Sequence, residues 1–546
     1  MDNQQVNIIN LCLSAKSWLR VVDEVHYVAG AKFHTGKIEI DTLKGVVCIA
    51  IKVYDSFPLA KIEFYCTNHE GYGHQMSSGL LCLMATPASG LTDRLELELE
   101  KLWLWVEKYF INEEADAHFE YFKFANTLPI ELIFEEDNVK EALKGVHGKF
   151  YYGLLNQFPQ GDKAVKKTWL AFQLGGRKCR WTKSFLSGNV IGEYTGLWVR
   201  IDHPPVIVRN KATERWKELL PLLSFGQAQY IYDQAKLIRG QSGYTDKFML
   251  CVGYEIPGDE GNEIHWDLLV VSFENFPYTP KKIKAGEYVP EDNGMDLAWC
   301  RTSNASYQRL FGRGKLSNAL TESKVLIIGT GAIGSSLFIS LVRGGCKNIH
   351  ISEFDNIEPG NICRGQFSFK QSGNPKPYEL YNYALSVSPY VELGFTAGLE
   401  SMGKDNAGYP DQKKALNSFD FIFDCSTDKY VSIMLDEMDL KGTVINLSIS
   451  NEANHMAVIT GTGNIHVAKS DLYDRLIPGK QKPFFVATGC WHPTFHASYS
   501  DINILLHYAI NEIDHKLEKG VAVSSFYISK SYNEFNSIVY EISYHV

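Results

Sequence analysis

One stretch constrains this chain more than any other: Lys324-Val-Leu-Ile-Ile-Gly329-Thr-Gly331-Ala-Ile-Gly334, an apolar run that ends in GxGxxG and leads into a helical pattern. A short apolar run bounded by glycine reads as a buried strand. The helix-like run after it ends at Gly344-Gly345, before a second strand pattern from Asn348 to Glu353. Strand, glycine turn, helix and strand make a βαβ unit, which requires a parallel sheet covered on both faces. The turn brings backbone N–H groups to a helix N-terminus, where the aligned peptide dipoles favour an anion such as phosphate. Asp355 stands just past the second strand, 24 residues beyond Gly331, the place from which a carboxylate reaches ribose hydroxyls. A purely structural turn is the other reading of the glycines, and the residues that follow weigh against it.

A nicotinamide oxidoreductase would need only the glycine turn and Asp355. The next residues, Asp355-Asn-Ile-Glu-Pro-Gly-Asn361-Ile-Cys-Arg364-Gly-Gln366, put a cation close to that carboxylate, and Gly373-Asn-Pro-Lys376 adds a second. Singly, Arg364 and Lys376 are ordinary solvated charges. Together they suit the β and γ phosphates of a triphosphate, and they stabilise charge that develops on a pyrophosphate leaving group. Farther on, Phe421-Ile-Phe-Asp424-Cys-Ser-Thr-Asp428 reads as a buried strand ending in two carboxylates. They lie at the sheet edge where α/β proteins bind ligands, as oxygen ligands for magnesium. Asp424 also reads as a cap of a turn or helix.

In this order the motifs resemble the adenylation domain of the ubiquitin-activating (E1, ThiF-like) superfamily. GxGxxG, D-x5-N-x2-R, G-x-P-K and D-x-T-D appear as Gly329 to Gly334, Asp355 with Asn361 and Arg364, Gly373 with Lys376, and Asp424-Cys-Ser-Thr-Asp428. The resemblance covers about residues 301–546 and implies a C-terminal α/β, Rossmann-like adenylation domain. In it Asp355 holds the ribose of ATP, Asn361, Arg364 and Lys376 hold phosphates, and Asp428, with Asp424, serves Mg2+. Two departures stand out: Gly365 splits the family's Arg-Gln pair, and the last motif has one extra residue, with Lys429 where Asn is usual. The superfamily's habit of dimerising implies a homodimer in which an arginine before the first strand reaches the partner's nucleotide; Arg309 fits, with Arg301 as the other candidate.

Family members that pass their product on as a thioester use a cysteine beyond these motifs. Cys490, in Ala487-Thr-Gly-Cys490-Trp-His492-Pro, precedes the helix-like run Ser500 to Ile510, a setting that favours thiolate; an inert buried cysteine is the other reading. At the other end of the chain, strand patterns at Gly45–Val53 and Lys61–Tyr65 precede a loop ending in Ser78-Gly-Leu-Leu-Cys82-Leu. A helical repeat of Leu95, Leu99, Leu102, Val106 and Phe110 follows, behind a cap at Thr92 or Asp93. This α+β unit, residues 1–125, resembles a ubiquitin-conjugating (E2) domain with Cys82 as its nucleophile. The family's His-Pro-Asn is missing, and only His74 stands nearby. Cys425, Cys48 and Cys251 read as packing residues.

At 546 residues the chain is long enough for three or four domains, and 126–300 reads as a mixed α/β middle linker domain of unclear role, with an exposed connection from Tyr278 to Gly294. A net charge of -9 supplies no basic surface for nucleic acid. Eleven cysteines without a CxxC pair fit neither a disulfide framework nor structural zinc. No signal peptide or membrane-length apolar run is present, so a cytoplasmic protein is expected.

An activating and a conjugating module on one chain resemble the bacterial E1–E2 fusion proteins of anti-phage operons, nearest the type II CBASS kind. That resemblance implies ATP-dependent activation of a protein C-terminus, such as that of a cGAS/DncV-like nucleotidyltransferase or a ubiquitin-like protein. The acyl group would pass as a thioester to Cys490, then to Cys82, then to a target amine. A sulfur-carrier activating enzyme or a non-catalytic scaffold is the competing expectation.

Overall fold

A computed structural model describes the chain except Ser77, 84–86, 115–128, 137–144, 157–166, Asn210, 240–245, 259–260, Asn275, 277–280, 285–286, 290–294, 397–398, 400–401, Asn451, 462–463, 478–483, 486–492, Phe495 and 545–546. Residues 1–179 with 192–306 form one compact unit, and 180–191 with 307–546 a second.

The first unit opens with the helix Asn3–Ser14, whose N-terminus is closed by reciprocal hydrogen bonds between Asp2 and Gln5. Four antiparallel strands follow in sequence order: Arg20–Tyr27, Phe33–Thr42, Gly45–Tyr54 and Glu63–Cys66. Alternation in Gly45–Tyr54 puts Val47, Ile49, Ile51 and Val53 on one buried face. Leu95, Leu99 and Leu102 of the helix Leu91–Trp105 pack against that face, each worth ~1.5–3 kcal/mol of burial. This helix starts at Leu91 with Gly90 as its cap, not behind Thr92 or Asp93. Asp93 lies inside the first turn, where its charge suits the helix dipole, and the helix continues as a π-helical turn, Val106–Ile111.

The middle segment holds an eight-stranded sheet. Ile130–Phe134 pairs in parallel with both Trp299–Asn304 and Lys167–Leu174, so the sheet closes on itself. Its interior is filled by rings that fit because glycines lie beneath them. A Cβ on Gly253 would come within 2.5 Å of the Trp266 ring and one on Gly148 within 2.8 Å of Trp198. The helix Phe225–Arg239 covers the outside, burying Ala228, Ile231, Tyr232 and Ala235. A short hairpin, Lys281–Lys284 with Glu287–Val289, interrupts the stretch read as a plain connection.

The second unit is an eight-stranded sheet whose order along the edge is Glu392–Thr396, Asn348–Ser352, Lys324–Ile328, Phe421–Asp424, Thr443–Ile449, His455–Thr460, Phe526–Tyr532 and Ile538–Ser543. The first five run parallel and the last three antiparallel. Helices Ala332–Arg343, Lys376–Val387 and Tyr499–Glu518 pack on one face, and Tyr409–Leu416, Lys429–Glu437 and Ile465–Leu476 on the other. Strand order therefore reverses between Lys324–Ile328 and Phe421–Asp424, and a ligand crevice opens at the C-terminal ends of strands at such a switch point. The segment 180–191, expected in the middle domain, belongs to this unit. The Trp181 ring lies 5.3 Å from Tyr390, and Thr182 N–H donates to Pro389 O at 2.9 Å.

Gly334 sets how closely the first helix approaches its strand: a Cβ there would stand 1.9 Å from Gly329 O. Gly334→Ala is expected to destabilise the second unit by about 3 kcal/mol or more, because backbone cannot yield as a side-chain tip can; urea denaturation reads it, and a loss under 1 kcal/mol would contradict the packing.

Candidate functional site

Glycines, carboxylates and a lysine meet at the switch point. Gly329 takes φ +79, a left-handed conformation, and lies against Ser426 of the neighbouring strand end. Gly331 caps the helix Ala332–Arg343, and a Cβ there would meet nothing within 4 Å. A helix N-terminus with open space before it is what phosphate requires. Thr330 is fully buried, and both its N–H and its hydroxyl donate to Glu353 Oε2, at 2.8 and 3.0 Å. The other Glu353 oxygen accepts from the N–H groups of Phe354 and Asp355. Burial pushes the Glu353 carboxyl up, but the N–H groups of Thr330 and Asp355, helped by Lys376, outweigh it and hold the group below its ordinary value.

Lys376 is 5% exposed. Its Nζ donates to Asp355 Oδ2 at 3.0 Å and lies 3.9 Å from Glu353 Oε2. It is also the first residue of the helix Lys376–Val387, where the positive end of the helix dipole disfavours a cation. Burial and position both oppose the charge, so the carboxylates must hold it there, and an arriving polyphosphate would offset the remainder. Lys376 N–H donates to Asp355 O at 3.0 Å, and Asn356 pairs with Pro375, so the carboxylate loop and the lysine loop form one backbone ladder.

The other expected residues surround this core differently. Asn361 Oδ1 accepts from Glu358 N–H, which leaves its amide nitrogen as the group able to donate to phosphate. Arg364, in the turn after the short helix Pro359–Ile362, donates to Gly360 O of that helix at 3.2 Å. Gln366, beyond the interrupting Gly365, donates to Ser336 Oγ and Tyr499 OH and so ties the glycine-turn helix to the C-terminal helix.

Asp424 is fully buried and accepts four hydrogen bonds, from Ser426 N and Oγ, Ser432 Oγ and Asn446 Nδ2. This carboxylate is engaged by the protein itself, as the cap reading allowed. Asp428 is exposed, and its Oδ1 caps the helix Lys429–Glu437 through Tyr430 N–H at 2.8 Å; its second oxygen is the one suited to an ion. No group of three or more His, Cys, Asp or Glu side chains forms a metal cage among the described residues. Arg309 is exposed on the short helix Tyr307–Phe311. Cys490 lies outside the described residues. Cys425 is buried, and burial with the Asp424 charge drives its thiol well up.

Sequence reasoning overlooked Glu353 and Thr330. The signal was present: Glu353 directly follows the second strand, and its side chain, not that of Asp355, closes the glycine turn.

In the first unit Cys82 is exposed. Its N–H donates to His74 O at 2.7 Å, and Met76 N–H donates to Leu80 O at 2.8 Å, around the bridge Gln75 with Leu81. The cysteine thus sits on a small two-stranded ladder beyond the four-stranded sheet.

A switch point in a mainly parallel sheet covered by helices defines a doubly wound α/β unit, and residues 304–450 match the ThiF family. The chain is 22% identical over 527 residues, 82% of each chain, to the "ATP-dependent ubiquitin transferase-like protein Cap2" of Enterobacter hormaechei. It is also 33% identical over 85 residues, 16% of this chain and 14% of the other, to the uncharacterized protein y4oA of Sinorhizobium fredii. Among solved structures it resembles E. coli MccB with ATP at 18% identity and a TM-score of 0.29, over 42% of this chain and 65% of that one. No helix among the described residues is long and apolar enough to cross a membrane.

Proposed function

We propose that this chain activates the C-terminal carboxylate of a protein substrate with ATP and conjugates it to an amine through two cysteine thioesters. The observation that carries the adenylation step is Lys376, buried at a helix N-terminus beside Asp355 and Glu353 at the switch point. The substrate carboxylate attacks the α phosphate, forming acyl-AMP and releasing pyrophosphate. Lys376 and Arg364 offset charge on the leaving group, Asn361 donates to phosphate, and Asp355 takes the ribose. Asp428 is the protein ligand best placed for Mg2+, which would neutralise phosphate charge; Asp424 anchors the strand end. Cys490 then attacks the acyl carbonyl and expels AMP, and Cys82 takes the acyl group by thiol exchange before an amine does. In this reading the chain works as a homodimer with Arg309 reaching the partner's nucleotide.

Two features support the conjugating half. The first unit runs as helix, four-stranded meander, cysteine loop and helix, an order in which the two strands, loop and helix read from the sequence keep their places, and similarity to the Cap2 protein spans 82% of both chains. The setting that fits is a bacterial anti-phage operon of the CBASS type, with a cGAS/DncV-like nucleotidyltransferase or a ubiquitin-like protein as substrate. Sulfur-carrier activation would use the second unit and leave Cys82 idle.

Pyrophosphate exchange into ATP that depends on the candidate carrier tests the reading. Asp428→Ala is expected to lower exchange by about 10²-fold or more while unfolding stability changes by ~1 kcal/mol, the worth of a helix cap. Exchange at the wild-type rate would remove Asp428 from the metal site.

A further inference from the structure

His74 and Cys82 face each other at the backbone across an isolated bridge, and His74 takes a left-handed conformation there. His74 takes φ +55, a left-handed conformation uncommon outside glycine and costly for most side chains. Six non-glycine residues have positive φ among the described residues, and three of them, His74, Glu113 and Arg209, gather around this loop. Such strain persists only where surrounding contacts impose it, and it concentrates at functional sites.

The contacts that impose it are specific. Arg209, on the turn after Val206–Val208, lies over the Tyr72 ring at 4.0 Å and 3.8 Å from Glu113. Lys211 donates to Glu70 at 2.9 Å. Tyr72 is buried against Phe110, with ring centroids 5.3 Å apart. Next to it, Trp105 Nε1 donates to Gly73 O at 2.9 Å, and a Cβ on Gly73 would come within 2.8 Å of Tyr109. The His74 ring then packs 5.3 Å from Tyr109, while its carbonyl accepts from Cys82 N–H. That backbone hydrogen bond holds the two residues side by side across the bridge of Gln75 with Leu81.

We propose that His74 is the catalytic base that serves Cys82, with Arg209 and Tyr72 as its positioning residues. This rests on the reading of Cys82 as the last acyl carrier. The amine nitrogen attacks the thioester carbonyl, forming the C–N bond; the C–S bond breaks, the electron pair leaves on the Cys82 sulfur as thiolate, and the amine's proton passes to the His74 imidazole. It also gives the middle segment a task, since its hairpin turn braces the loop that presents the imidazole.

The test uses the full chain. Acetylglycine thiophenyl ester acylates exposed thiols by exchange, and intact mass shows which adduct Cys82→Ala removes; discharge of that adduct is then followed with n-butylamine and with hydroxylamine. His74→Gly suits the left-handed backbone without strain, and His74→Asn, which also tolerates it, is the second variant. With butylamine both variants are expected to discharge about 10²-fold more slowly than wild type, the usual worth of a general base, and added imidazole should restore His74→Gly. Hydroxylamine, neutral and strongly nucleophilic at pH 7, needs no base, so its rate should stay within about twofold. Equal slowing with both nucleophiles, or butylamine discharge at the wild-type rate, overturns the role of His74 while leaving Cys82 as carrier. If wild type forms no adduct that Cys82→Ala removes, the reading of Cys82 itself fails.

Discussion

Protein carrying Cys82→Ala, incubated with ATP, magnesium and a carrier that supports pyrophosphate exchange, is expected to accumulate a reducing-agent-sensitive adduct at Cys490 and to form no conjugate at all. Removing the second thiol leaves the switch-point site and the first thiol whole, so acyl transfer should run as far as Cys490 and stop. Cys490→Ala should still make acyl-AMP, shown by undiminished pyrophosphate exchange, yet carry no thioester on either cysteine. Tethering both thiols to one chain raises the effective concentration of the acceptor to roughly millimolar, so in the wild type the first adduct should be short-lived and the contrast with Cys82→Ala large. Non-reducing gels of the two variants decide the order. Normal charging of Cys82 in Cys490→Ala would mean that the adenylate hands its acyl group to Cys82 directly, and Cys490 would revert to a packing residue.

Replacing Lys376 by Met is expected to reduce pyrophosphate exchange by about 10²- to 10³-fold, the loss typical of removing one preorganised charge from a developing anion. Stability should change far less. The lysine is buried and sits at the unfavourable end of its helix, so methionine of similar length removes a desolvation cost while breaking the contacts with Asp355 and Glu353. Asp355 is half-exposed and can be rehydrated, and Glu353 keeps its donors from Thr330, Phe354 and Asp355. The unfolding free energy should therefore stay within about 1 kcal/mol of wild type, because these terms oppose one another. Exchange within tenfold of wild type would show that Lys376 organises the loop and does not touch the nucleotide.

How legible the chain was depended on whether an interaction is local. The strand, the glycine turn and the helix from Lys324 to Arg343 are contiguous, and each choice of residue agrees with its neighbours, so the periodicity and the three glycines were enough. The strand Gly45–Tyr54 and the helix Leu91–Trp105 were readable for the same reason. The role of the middle segment was not, because its closure depends on Ile130–Phe134 pairing with strands that begin 37 and 169 residues after it does, at Lys167 and Trp299. Alternation within a strand says which face is buried and says nothing of the partner. The glycines at 148 and 253 likewise acquire meaning only from the tryptophans that cross them.

By itself the sequence determined the parallel sheet of the second unit, the place of the crevice at its switch point, and the cysteine loop ahead of a long amphipathic helix in the first. Each follows from hydrophobic period and turn chemistry within a few dozen residues. Only the tertiary structure decided that Glu353 locks the glycine turn, that Lys376 is buried between two carboxylates, and that Asp424 is saturated while Asp428 stays exposed. It alone set His74 opposite Cys82 behind the Arg209–Tyr72 contact. Those are matters of which distant groups share one desolvated space, and the free energy of a charge or a strained backbone is fixed by that company, which no local pattern records.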